Sequence, residues 1–82
     1  TKSPLYLKDT KGRLWVGTKN GLNVQFPGFD GFKRYFNNQE NNQSLSNNRI
    51  ICIYQDNKNR IWIGTDNGLN LYDEKTESFQ QF

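Results

Sequence analysis

The sequence predicts an all-β chain in which one four-stranded antiparallel sheet occurs twice. Three observations carry that expectation: missing helix formers, an internal repeat, and turn residues at regular intervals. The 82 residues include no Ala, no Met and no His, while Asn and Gln supply 18 positions. With 7 Gly and 12 aromatics, the composition suits strands and turns; helix surfaces are normally filled with strong helix formers. Leu, Ile, Val and Phe account for 20 residues, above the level typical of disordered chains, so a packed core is possible. A chain this short buries only about 60–65% of its unfolded surface and is marginal unless something else supports it.

The repeat appears when the chain is slid on itself by 47 residues. Asp9–Asn23 then lies over Asp56–Asn70, and residues 5–35 align with 52–82 without a gap, 11 of 31 positions being identical. A period of this length belongs to architectures whose unit is a small sheet. Each unit reads as four strands. The first is Leu5–Lys8, matched by Ile50–Gln55, which is apolar on both faces and therefore expected to be covered on two sides. A turn follows at 9–12 and 56–59. Its Asp9 or Asp56 can accept bonds from backbone amides just ahead, and Gly12 and Asn59 both tolerate a left-handed backbone.

The second strand is expected over Arg13–Thr18 and Arg60–Thr65. Gly17 and Gly64 fall on the same face as Trp15 and Trp62, leaving room for a ring or a neighbouring chain to approach. Asn20-Gly21 and Asn67-Gly68 signal hairpin turns. Leu22, Val24 and Phe26 then alternate with Asn23 and Gln25, and Leu69 and Leu71 repeat the pattern. The fourth strand, around Phe32–Phe36 and Phe79–Phe82, alternates poorly, as an outer edge strand can. Four antiparallel strands with a Trp and an apolar inner strand describe a β-propeller blade. The expected organisation is blade 1 over residues 4–36, a crossing loop over 37–49 that is polar apart from Leu45, and blade 2 over 50–82.

Much chemistry is excluded or disfavoured. Without His there is no imidazole base, and most zinc sites are lost. A lone Cys52 forms no internal disulfide, and inside an apolar run it reads as core. No apolar stretch approaches a membrane span, and no signal peptide is evident; a start at Thr1 rather than Met suggests an excised piece. The net charge of +3 divides into +4 over residues 1–41 and −1 over 42–82, but the cations are scattered among turns and strands. That is unlike the basic stripe of a nucleic-acid binder, and no nucleic-acid partner is expected. Gly12–Lys19 has the last two residues of a phosphate loop reversed, and Asp56–Arg60 lacks the spaced acids of a calcium loop. Asp73, Glu74 and Glu77 could in principle give a carboxylate pair, but they fall in an expected outer turn and read as solvated turn residues. Asn42–Ser44 spells a glycosylation triplet of the kind that arises by chance in Asn-rich chains. No catalytic residue, metal or cofactor is expected.

Trp15 and Trp62 admit two roles, stacking on a sugar face or docking one sheet against the next. Their identical register favours the structural role, because architecture repeats while a binding site is assembled once. The same holds for the turn pairs Asp9/Arg13 and Asp56/Arg60, worth about 0–1 kcal/mol if exposed. Asp9, Trp15, Gly17, Gly21, Asp56, Trp62, Gly64 and Gly68 are therefore assigned to the repeat framework.

The runs Asp9–Asn23 and Asp56–Asn70, together with Ser44–Ile50 before an inner strand, resemble the two-component regulator propeller repeat. That resemblance implies the extracytoplasmic, periplasmic sensor half of a hybrid two-component histidine kinase/response regulator, as in gut Bacteroidetes, answering to carbohydrate. It also implies further blades, a membrane span and a kinase in the parent protein, with membrane contact only through those parts. Asn59 departs from the Gly usual at that turn. The alternative is a stand-alone binding propeller, a lectin or protein-interaction scaffold; a quinoprotein dehydrogenase propeller stands further off.

In a propeller, the crossing loop shares one end with the turns at 18–21 and 65–68. Their amides and hydroxyls suit an oligosaccharide, whose hydroxyls both donate and accept. Any ligand is therefore expected at that end, through Asn48, Arg49, Lys19 and Asp66. Rings of about 4–8 blades are the rule, so two blades leave a bare sheet face at each end. The expected partners are neighbouring blades of a larger ring, from which the chain was cut, or further copies that assemble when it stands alone.

Overall fold

The computed structural model describes residues 5–82; Pro4, the expected first residue of blade 1, lies outside them. Eight strands form two sheets. Strands β1 (Leu5–Lys8), β2 (Leu14–Thr18), β3 (Gly21–Gln25) and β4 (Lys33–Tyr35) pair in chain order, each antiparallel to the next. Strands β5 (Ile50–Gln55), β6 (Ile61–Thr65), β7 (Gly68–Asp73) and β8 (Ser78–Gln81) repeat the arrangement. The fold class predicted from the sequence is the one observed. Arg13 and Arg60, expected to open the second strands, instead close the turns before them, because each is drawn back to the turn's Asp.

Those turns form for the expected reason. Oδ1 of Asp9 accepts the backbone N–H of Lys11 and of Arg13, and Asp56 does the same for Lys58 and Arg60, all at 2.9 Å. Gly12 and Asn59 are left-handed, at φ 83° and 64°. One residue pair thus solves one backbone problem twice.

The sheets stack head to tail, so different faces of the two repeats meet. In sheet 1, Trp15 stands opposite Val24, and Gly17 opposite Leu22; this face is covered, with Trp15, Leu22 and Val24 fully buried. The equivalent face of sheet 2 carries Trp62 opposite Leu71, and Gly64 opposite Leu69, and it is open. What covers Trp15 is the other face of sheet 2, with Ile61, Ile63, Tyr72 and Phe79. Tyr72 meets the Trp15 indole edge-on with centroids 4.9 Å apart. The two sheets share a single core.

Gly17 sets how closely they approach. A Cβ there would lie 2.6 Å from Cγ2 of Ile50 and 2.9 Å from Cδ2 of Leu5. Ile50 reaches this seat because β5 bulges between Ile50 and Cys52.

Strand β5 corrects one expectation. Ile50 is buried and Ile53 half-buried, but Ile51 and Tyr54 are exposed at 54% and 60%. Cys52, read as core, is exposed as well. Both faces of the strand are apolar, yet the described residues cover only one. Cys52 and Tyr54 pair with Gly64 and Trp62, so they lie with the open face.

Residues 37–49 run from one sheet to the next and are tied to both. Leu45 is fully buried in the shared core. The Ser46 backbone N–H donates to Asn70 Oδ1 at 2.9 Å, and the Ser46 and Thr65 hydroxyls lie 2.7 Å apart. Asn70, fully buried, spends its Nδ2 on the Ser46 hydroxyl and on the Ile63 carbonyl. A buried amide with all of its bonds made orients the segment instead of costing stability.

Candidate functional site

Two places concentrate polar chemistry: the turns between first and second strands, and the opposite end, where the crossing loop meets the hairpin turns.

At the first, Asp9 Oδ2 accepts Nε of Arg13 at 2.6 Å and Nε1 of Trp15 at 2.8 Å. Asp56 repeats this with Arg60 at 2.7 Å and Trp62 at 2.9 Å. Burial pushes the Asp9 carboxyl upward, but the bonds from Trp15 and Arg13 outweigh it, and the group sits below the usual carboxylate range. The Trp62 N–H, helped by Arg60, holds Asp56 well below that range. The acid–indole bond is a contact the sequence reading missed, although Asp and Trp repeat together at a spacing of six.

The surroundings of the two turns differ. Arg13 lies over the Trp15 ring at 5.4 Å and the Tyr72 ring at 5.7 Å, with Nη2 2.8 Å from Glu74 Oε1. Glu74 also takes Nζ of Lys11 at 2.7 Å. The Lys11 bond leads in lowering the Glu74 pKa, burial opposes it, and Arg13 adds to it. Glu77 pairs with Lys33. Glu74 and Glu77, expected as solvated turn acids, are exposed, and each also pairs with a cation across the sheet–sheet junction. Nothing local marks this role, because the position equivalent to Glu74 in the first repeat is Pro27.

At the opposite end, the segment around Asn48 lies between the two hairpin turns. The Gly21 N–H donates to the Asn48 carbonyl at 2.6 Å, and the Asp66 N–H to the Arg49 carbonyl at 3.2 Å. Arg49 Nη1 stands 3.4 Å from Asp66 Oδ2, with both side chains about half exposed. Lys19 is exposed in the turn whose Gly21 is anchored to Asn48. The four predicted binding residues thus share one end of the molecule. Asn48 has a framework task there, since its Oδ1 accepts the Asn37 backbone N–H at 2.6 Å. Lys19, Arg49 and Asp66 keep exposed polar groups facing solvent.

Grooves are found elsewhere. One runs along β7, β8 and their turn beside Asn42 and Gln43. Another, more apolar, is lined by Phe26, Phe29, Phe32 and Lys33. Among the described residues no group of three or more His, Cys, Asp or Glu is placed to hold a metal ion.

Two stacked four-stranded meanders, joined by a crossing loop and repeating a Trp at equal register, define a β-propeller segment. Residues 44–67 match the family model described as two component regulator propeller. The match takes in the buried Ser44–Ser46 anchor, β5, the Asp56–Arg60 turn and β6, so the chain carries a repeat of that kind. No curated protein matches the chain.

Proposed function

We propose that this chain is a non-catalytic segment of the extracytoplasmic, periplasmic sensor propeller of a hybrid two-component histidine kinase, and that it contributes to carbohydrate recognition. The observation that carries this reading is the two component regulator propeller match over residues 44–67. The recognition surface is the end formed by the crossing loop and the hairpin turns. Lys19, Arg49 and Asp66 supply donors and acceptors there, while Asn48 holds the loop in place. Sugar hydroxyls need both kinds of partner, and no apolar floor is required for weak, multi-point capture across several blades.

The test is an NMR titration of the 82-residue chain with a panel of neutral and acidic oligosaccharides. The expected result is a set of shifts confined to residues 18–21, 47–49 and 65–68, lost in the Arg49→Ala variant. Shifts confined to the Phe26–Phe32 groove or to the Trp62 face would reject this surface. No shift with any sugar would reject carbohydrate as the ligand of this segment.

A further inference from the structure

The junction inside the chain is a template for what the open face of sheet 2 needs. Across it, Arg13 is enclosed: Asp9 binds its Nε, Trp15 and Tyr72 lie beside its guanidinium, and Glu74 closes the outer side. Its side chain is 6% exposed. Arg60 has the same partners from its own sheet, with Asp56 at 2.7 Å and the Trp62 centroid at 5.5 Å. Among the described residues it has neither the second ring nor the outer acid, and its side chain is 49% exposed. Leu69 and Phe82 on the same face are exposed at 41% and 64%.

A second copy, docked as the internal junction is docked, would present the free face of its sheet 1. There Gln25 stands where sheet 2 has Tyr72, and Pro27 where it has Glu74. Lys8 replaces Gln55, whose amide clasps Thr10 across the internal junction, with Nε2 2.9 Å from Oγ1. The copy would thus bring an extra cation, and no acid at the Glu74 position, to a rim that already holds Lys58 and Arg60. Covering Arg60 with Asp56 as its sole acid strips water from the outer guanidinium nitrogens without replacing that contact, as Glu74 replaces it for Arg13.

We propose that the Trp62 face is a docking surface for a different blade, one whose turn between third and fourth strands aims a carboxylate at Arg60 and whose third strand ends in an aromatic ring. The chain's own sheet 1 has Gln25 at the ring position and Pro27 at the acid position; its turn acid, Asp30, stands instead at the position of Glu77, whose partner across the internal junction is Lys33. This inference rests on the junction geometry alone and is independent of what the loop end binds.

The test converts sheet 1 into the required partner. Gln25→Tyr with Pro27→Glu alters a half-exposed and an exposed position and supplies both missing groups. Sedimentation velocity over a concentration series then compares the variant with the parent chain. The variant should self-associate at a concentration at least about tenfold lower than the parent. Arg60→Ala in the variant background, or high salt, should abolish the gain. If the double variant loses its circular dichroism signature, Pro27→Glu alone carries the same comparison. A parent that associates as tightly as the variant would make a second copy the natural occupant and overturn the proposal. So would a variant no stickier than the parent, or a gain that survives Arg60→Ala.

Discussion

Trp15 and Trp62 occupy the same register position, bond the same acid and lie beside the same arginine, yet they do not contribute equally to stability. Trp15 is fully buried between the sheets, whereas Trp62 is half-buried on the open face. Trp15→Ala should cost about 3–5 kcal/mol, the range for large aromatic deletions in packed cores. Trp62→Ala should cost about half that or less, since much of its ring already meets water. Urea titrations of the two variants check this; equal losses would mean that the open face is covered in solution. The indole N–H has its own share: Trp15→Phe leaves the buried Asp9 carboxylate one donor short and should fall between parent and Ala variant.

At the scale of elements, the approach of β5 to β2 depends on Gly17. A methyl group there must displace Ile50 and Leu5, both packed between the sheets, and Gly17→Ala should cost about 1–3 kcal/mol. At Gly64 the added Cβ would lie 2.5 Å from Sγ of Cys52. That thiol is exposed and can rotate away, so Gly64→Ala should be the milder change in the isolated chain. Thermal midpoints of the two variants, measured side by side, give the comparison. A Gly64→Ala midpoint below that of Gly17→Ala would show that the sheets are not locked through Ile50.

For the whole molecule, the shared core and the ion pairs across the junction predict one cooperative transition and a clear acid sensitivity. Asp9, Asp56 and Glu74 are all held below their ordinary values in the folded chain. The unfolded chain therefore binds more protons at low pH, and stability rises with pH in that range. Their contribution is fully present above the ordinary carboxylate pKa, about 4, and is lost progressively as pH falls below it. Urea midpoints should be level near neutrality and drop steeply below about pH 4. Glu74→Gln should lessen that drop and lower stability at neutral pH, because Lys11 and Arg13 lose their facing charge. An acid-insensitive midpoint would remove the junction carboxylates from the stability argument.

Features settled between neighbouring residues were legible before any fold was known. Asp9 with Gly12 and Asp56 with Asn59 are sufficient for their turns, because the backbone groups they serve lie two to four residues away. The alternation of Leu22 and Val24 with Asn23 is sufficient for a two-faced strand, and the 47-residue repeat implies that the second sheet copies the first. The gathering of Lys19, Asn48, Arg49 and Asp66 at one end follows from strand order alone. Which face of each sheet is covered depends instead on how the two sheets stack. Trp15 and Trp62, alike in local sequence, end in different surroundings. The apolar run of β5 leaves Cys52 and Tyr54 in the open, and Glu74 becomes the counter-charge of an arginine 61 positions earlier. Strand and turn preferences act over a few residues of chain, whereas covering a sheet face needs another sheet, and which sheet that is depends on stacking that no local pattern encodes.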